Sequence, residues 1–191
     1  MKSSRMSVPR NSHRSLDARS EFVIDTHDLG RRAGAMKQLN IVAAAPADLG
    51  TAVMAVPSGT PISLALRIEA VVEGVLVTGV GWATAAGECG RCLVPISLDV
   101  EVDLQELFVH GVGSPDDDET SRLDGDLLDL EPVLRDQVVL DLPFQPICRE
   151  DCLGLCIECG ARLNDDPEHS HHDQIDPRWG GLTGLELEPG T

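Results

Sequence analysis

The placement of cysteine and histidine constrains this chain more than any other feature. Cys148, Cys152, Cys156 and Cys159 are followed by His169, His171 and His172, so four of the six cysteines and three of the six histidines fall between 148 and 172. The other two cysteines, Cys89 and Cys92, form a C-x2-C pair far upstream. Thiolate and imidazole are the donors zinc prefers, and a closed set of four is its structural mode. A C-x2-C pair suits such a site because a tight turn brings both sulfurs to one ion while backbone N–H groups soften their charge. One pair alone is a weak signal. Two pairs, with a C-x3-C and an H-x-H, point to metal.

Composition supports metal over disulfide. A chain of 191 residues makes one medium domain with room for a metal module. The hydrophobic share of 42% suits a folded, soluble protein, and with no tyrosine the core must come from Val, Leu, Ile and Ala. No apolar run reaches 18 residues, so no membrane-spanning helix is expected. No basic start leads into an apolar stretch, so secretion is not expected and the location is read as cytoplasmic. In that compartment, clustered cysteines read as metal ligands.

The net charge of −17 is unevenly spread. Residues 1–40 carry eight Lys/Arg against four Asp/Glu, while residues 41–191 carry seven against 28. An acidic body disfavours nonspecific nucleic-acid binding and attracts basic partners, ribosomal proteins among them. The bland alternative is that the charge only keeps the protein soluble.

Residues 1–20 are rich in Ser and Arg and read as a disordered basic tail. Glu21–Asp25 reads as a short strand, with Thr26 or Asp28 able to cap a helical turn. Ile62, Leu64, Leu66, Ile68 and Ala70 alternate with Ser63, Ala65, Arg67 and Glu69, which predicts a half-buried strand. Glu73-Gly74 marks a turn, and Val75–Thr84 reads as the return strand. Ile96, Leu98, Val100, Val102 and Leu104 then alternate with Ser97, Asp99, Glu101, Asp103 and Gln105, giving one apolar and one acidic face. Cys89 and Cys92 fall at the turn between these last two strands. Residues 111–126 read as a solvated Gly/Asp loop without calcium-site spacing. Leu127, Leu130, Leu134 and Val138 follow helical spacing, with Asp129 as a plausible cap and Pro132 in the first turn. A short helix is expected from Asp176 through Leu185, and residues 187–191 read as a disordered tail. The expected fold is α+β: an antiparallel β-meander packed against one main helix, with a cysteine/histidine segment tied by zinc at the C-terminal end.

Several of these residues together resemble the YceD family. The matching features are Cys89-x-Arg91-Cys92-Leu93, Leu134-Arg135-Asp136, Leu142-Pro143, Pro146-x-Cys148-x3-Cys152, Gly154-Leu155-Cys156-x2-Cys159-Gly160, Leu163-Asn164 and Asp176-Pro177-Arg178. The resemblance covers residues 21–186. It implies a role in accumulation of large-subunit ribosomal RNA, with no catalytic residues. It also implies a partition, because some members keep only the equivalents of Cys89, Cys92, Cys148 and Cys152. Others add the Cys156/Cys159 pair followed by a C-x-C, where this chain has His169-Ser170-His171. Two structural zinc ions are therefore expected, one on Cys89, Cys92, Cys148 and Cys152, the other on Cys156, Cys159, His169 and His171. His172 is the alternative last ligand. A rival partition joins Cys148, Cys152, Cys156 and Cys159 in one all-thiolate site. Structural zinc in small modules carries about 10–16 kcal/mol of apparent binding energy, so its loss should unfold this end.

The expected function is a non-enzymatic, zinc-stabilised factor assisting assembly of the large ribosomal subunit. Its acidic surface would meet a basic ribosomal protein or an assembly intermediate, and the N-terminal arm could touch RNA. The alternative is a redox-responsive zinc-thiolate protein or thiol–disulfide enzyme. A hydrolase is disfavoured: Glu168 beside His169 resembles a zinc-site base, but every ligand set closes at four and no HExxH motif occurs.

Overall fold

A computed structural model describes residues 16–30, 32–111, 120–171 and Arg178. The basic arm up to residue 15, residues 112–119 of the acidic loop, the helix expected from Asp176 apart from Arg178, the tail at 187–191 and His172 lie outside those residues. The described residues form a six-stranded and a two-stranded antiparallel sheet with one α-helix, an α+β arrangement.

The sheet is built around one long strand. β1 (Val23–Asp25) and β2 (Met36–Ala44) open the chain, and a hairpin of β3 (Leu49–Gly50) and β4 (Met54–Val56) follows. β5 (Pro61–Ala70) then turns into β6 (Gly74–Glu88), and β6 into β7 (Pro95–Val109). β7 pairs with β6 along its whole length. The other edge of β6 is shared: β5 takes Val75–Trp82, and β4 takes Ala86 and Gly87. β2 continues the sheet beyond β5.

Alternation works as expected in β5, where Ile62, Leu64, Leu66, Ile68 and Ala70 are all buried. In β7, Val100, Val102 and Leu104 are buried, but Leu98 is 41% exposed and Ile96 only half-buried, because the strand there runs past the core. β6 extends four residues beyond the expected Thr84. Its second half, Gly79 to Gly87, is rich in Gly and Ala and has little strand propensity of its own. Pairing on both edges imposes the strand. These small residues also serve packing. A Cβ on Gly81 would come within 2.9 Å of Leu64 Cδ2, 3.1 Å of Val102 Cγ2 and 3.8 Å of Leu134 Cδ1. The bare backbone of β6 thus makes room for larger neighbours to close over it.

The helix starts later than its spacing suggested. Leu127 belongs to a strand, β8 (Leu127–Asp129), which pairs with β1 in a separate two-stranded sheet. α1 runs Glu131–Asp141, with Pro132 in its first turn as expected. Asp129 lies outside the helix, yet its carboxylate accepts from the Glu131 N–H at 2.9 Å. Leu130, Leu134, Val138 and Leu142 are buried, and α1 packs against β7 and β3. Arg135 on α1 donates to the carbonyls of Asp48 and Ala47 and pairs with Glu131 at 2.7 Å, which fastens the β3 hairpin to the helix.

The turn after β1 also differs in detail. A single 3-10 turn covers His27–Leu29, but neither Thr26 nor Asp28 caps it. Asp25 accepts from the His27 N–H at 2.8 Å, while the Thr26 hydroxyl donates to the Asp126 carbonyl at 2.7 Å. A cap needs a free side-chain acceptor. Here the Thr26 hydroxyl is turned toward the β8 side, and the Leu29 N–H goes to the Thr26 carbonyl at 2.9 Å.

Candidate metal centre

Both C-x2-C pairs fold into the same turn. In the first, the β6–β7 connection, the Cys89 N–H donates to the Val94 carbonyl at 2.9 Å and the Leu93 N–H to the Cys89 carbonyl at 2.9 Å. In the second, the Cys156 N–H reaches the Ala161 carbonyl at 2.7 Å and the Gly160 N–H the Cys156 carbonyl at 2.9 Å. The residue after the second cysteine takes a left-handed conformation in each, Leu93 at φ 57° and Gly160 at φ 74°. This knuckle turns both thiols to one side and aims backbone N–H groups at the sulfur of the first cysteine.

Each knuckle faces its own second half. The donor atoms of Cys89, Cys92, Cys148 and Cys152 all lie within 4.8 Å of one another, and so do those of Cys156, Cys159, His169 and His171. The eight residues named from the sequence therefore assemble as two sets of four, along the line of the expected partition and not of the all-thiolate rival. In site one, Cys89 and Cys152 sulfurs are 3.9 Å apart and those of Cys92 and Cys148 3.6 Å. These gaps are far too long for a disulfide, whose bond is about 2.05 Å. They match the edge of a tetrahedron with metal–sulfur bonds of about 2.3 Å, which is about 3.8 Å. In site two, Cys159 Sγ lies 3.2 Å from His169 Nε2 and 3.3 Å from His171 Nε2. Both rings point the same nitrogen inward.

The surroundings of the two sites differ. Cys89, Cys92 and Cys152 are buried, with Val94, Ile96 and Leu155 packed around them. Site one joins the β6–β7 turn to the segment that follows α1, and the Gly90 N–H bonds the Pro146 carbonyl at 2.7 Å beside it. Site two is more open, with Cys159 and His171 exposed.

The thiols of site one are pulled in opposite directions. Burial opposes ionisation of Cys89, but the N–H groups of Cys92, Arg91 and Cys148 and the Cys92 thiol bring its pKa down to about 6. The Asn164 amide holds Cys152 below the ordinary thiol range against its burial, with help from the Gly154 N–H. Cys148 is pushed up to about 12, first by burial and then by the neighbouring thiols. Crowded thiols divide this way because each new negative charge resists the next, and a cation at the centre removes that conflict. In site two, the N–H groups of Cys159 and Glu158 lower Cys156 to about 7 against its burial.

Residues outside the two donor sets complete the setting. Glu158 stands 3.4 Å from His171 Nδ1, and Asp166 3.8 Å from His169 Nδ1, so a carboxylate backs each ring. Carboxylates behind histidine ligands orient the ring and raise its basicity. Glu168, the acidic neighbour noticed in the sequence, is exposed. Arg91, inside the first knuckle, donates to the carbonyls of Glu150 and Cys152 at 3.3 and 3.0 Å.

The model of a family described as "Large ribosomal RNA subunit accumulation protein YceD" matches residues 79–186, a span that begins in β6 and takes in all eight candidate ligands. The chain belongs to the YceD family. Two uncharacterized proteins, Mb2951c of Mycobacterium bovis and Rv2926c of Mycobacterium tuberculosis, are each 45% identical to it over 170 residues, covering 87% of this chain and 82% of theirs. YlbN of Bacillus subtilis is 29% identical over 108 residues, 53% of this chain and 63% of its own. No solved structure matches the chain. No helix among the described residues is long and apolar enough to cross a membrane.

Proposed function

We propose that this YceD-family protein is a non-enzymatic, zinc-stabilised factor of the cytoplasm that supports accumulation of large-subunit ribosomal RNA by assisting subunit assembly. The observation that carries this reading is the closure of both donor sets. Each offers four thiolate or imidazole donors around one point, which is a scaffold's arrangement, whereas a catalytic zinc keeps a position open. Zinc suits these donors better than hard cations, which take oxygen. When bound, it would cross-link distant segments and neutralise the thiolates. Site one would use Cys89, Cys92, Cys148 and Cys152; site two, Cys156, Cys159, His169 and His171.

The acidic surface supplies the partner side of the proposal. Asp99, Glu101 and Asp103 are exposed on alternate positions of β7, on a chain of net charge −17. Such a face suits a basic ribosomal protein or an assembly intermediate, and the charge of the basic arm suits RNA.

Elemental mass spectrometry of the reduced protein tests the metal part. Two zinc ions per chain are expected, and Cys89→Ser with Cys92→Ser should remove one of them. Capture by the tagged protein at physiological salt tests the function. Large-subunit components should be recovered and lost as salt rises, since surface charges are screened over about 8–10 Å under these conditions. Capture of no ribosomal component would sink the proposal. The redox alternative rests on the exposed Cys159 thiol of site two. It would take precedence if all six thiols titrated freely in a metal-free protein.

A further inference from the structure

Between the two donor sets lies one side chain that neither uses as a ligand. Asn164 follows the second knuckle and precedes His169, so it sits inside the chain segment that site two closes. Its side chain, however, points at site one. Its Nδ2 donates to the Cys152 sulfur at 3.1 Å. Its Oδ1 accepts from the Leu153 N–H at 2.9 Å and from Arg149 Nη2 at 2.8 Å. Both of those donors lie on the segment from Cys148 to Leu153 that carries half of site one. Two backbone links hold the strand returning from the second knuckle in place beside it: the Leu163 N–H to the Gly154 carbonyl at 3.0 Å, and the bridge between Leu155 and Arg162.

We propose that Asn164 couples the two metal centres, so that metal in site two tightens the grip of site one. The inference rests on the two-zinc reading above. The physical route is short. Closing Cys156 and Cys159 onto His169 and His171 fixes both ends of the segment that bears Asn164. A fixed Asn164 keeps its amide on the Cys152 thiolate, as hydrogen bonds to coordinated sulfur do when they tune a site. With site two empty, only the local backbone bonds hold the segment, and the amide spends less time on the sulfur. Coupling of this kind is reciprocal, so metal in site one also favours site two. The two centres therefore fill cooperatively, and neither reaches full affinity until the other is occupied.

Asn164→Asp separates the contact from the fold. It keeps an oxygen for Leu153 and Arg149 but replaces the donor to sulfur with a carboxylate. Asn164→Ala removes both. Transfer of zinc from site one to a chromogenic chelator is measured in the full-length protein, in these variants, in a Cys156→Ser/Cys159→Ser variant lacking site two, and in the combinations. Cobalt substitution supplies a second readout, because the thiolate-to-cobalt absorption reports the sulfur environment directly. Loss of site two is expected to weaken zinc binding at site one by about 10–100-fold, the usual range for outer-shell partners. Asn164→Asp should do the same, with a shifted cobalt band. Loss of site two on top of Asn164→Asp should then add little. The proposal is overturned if site one keeps its affinity when site two is lost, if Asn164→Asp behaves as wild type, or if the two effects simply add. A wild-type chain holding fewer than two zinc ions would overturn the two-zinc reading itself, and the coupling with it, before any variant is made.

Discussion

His27 shows how a single side chain ties distant parts of the fold and how pH should expose the link. Its Nδ1 lies 2.9 Å from Asp126, across from β1 to the turn before β8. The hydrogen bond and charge of Asp126, with Asp25 contributing, raise its pKa above 6.5. A raised pKa means that the contact stabilises the fold fully below 6.5 and fades as pH climbs through the folded value. His27→Ala should therefore lower stability more at about pH 5.5 than at about pH 8.5 in denaturant titrations. A gap that widens with pH would refute the contact. Leu93 offers the opposite case, a residue where its type conflicts with its backbone. It holds φ 57° in the first knuckle, where the second knuckle has Gly160. Left-handed backbone costs a residue with a Cβ about 1–2 kcal/mol. The Leu93 side chain is 52% exposed and contributes little packing. Leu93→Gly, after about 0.5–1 kcal/mol of added chain entropy, should stabilise the metal-loaded protein by about 1 kcal/mol or less in thermal melts. A loss of stability would show that the Leu93 side chain has a contact that outweighs the strain. The eight donors were legible in the sequence because the chemistry lies in residue type and spacing. Glu158 and Asp166 were not, and Asn164 stood out only as part of the Leu163-Asn164 match without a role, since their partners are set by how two knuckles pack and not by any pattern along the chain.

At the level of elements, legibility follows the strength of local signal. β5 stands out because five apolar residues alternate with polar ones and all five are buried. β3, β4 and β8 are two or three residues long and carry no periodicity to read. Leu127 fitted the helical spacing of Leu130, Leu134 and Val138 by coincidence, and its pairing with Asp25 decided otherwise. β6 is the informative failure, because its Gly/Ala run looks like the end of a strand yet marks where neighbouring backbone and side chains approach it closely. A Cβ on Gly79 would lie 2.2 Å from the Ala65 carbonyl oxygen and 2.9 Å from Leu66 Cα. Those are backbone atoms of the neighbouring strand and cannot swing aside. Gly79→Ala should thus force β5 and β6 apart and cost about 1–3 kcal/mol or more, as overpacking does. Equilibrium unfolding checks it. A neutral result would mean that the strands separate more easily than their long shared register implies.

Across the whole molecule, the metal end and the sheet have separate cores. The large apolar cluster runs from Phe22 through β5, β6 and β7 to Leu142, while Cys89, Cys92 and Cys152 form a small cluster of their own. The stability of the sheet therefore rests on apolar burial, at about 25 cal/mol per Å² removed from water. The region after α1 has no comparable burial: Phe144, Ile147, Leu153 and Ile157 are all exposed, Ile157 completely. Without metal, only the small cluster around Val94, Ile96 and Leu155 is left to hold that region, and the unpaired thiolates of site one repel. Chelation should accordingly loosen residues 89–94 and 143–171 while the centre of the sheet stays folded. Hydrogen exchange measured with and without chelator would show it, with fast exchange at the Gly90, Cys156 and Leu163 amides and continued protection at Leu64, Leu66 and Val77. Collapse of protection throughout would mean that site one is part of the global folding unit. Because β6 and β7 end at the Cys89 knuckle, such collapse would have to spread from there into the sheet, and protection would fail first at Ala86 and Ser97 and last at Val77.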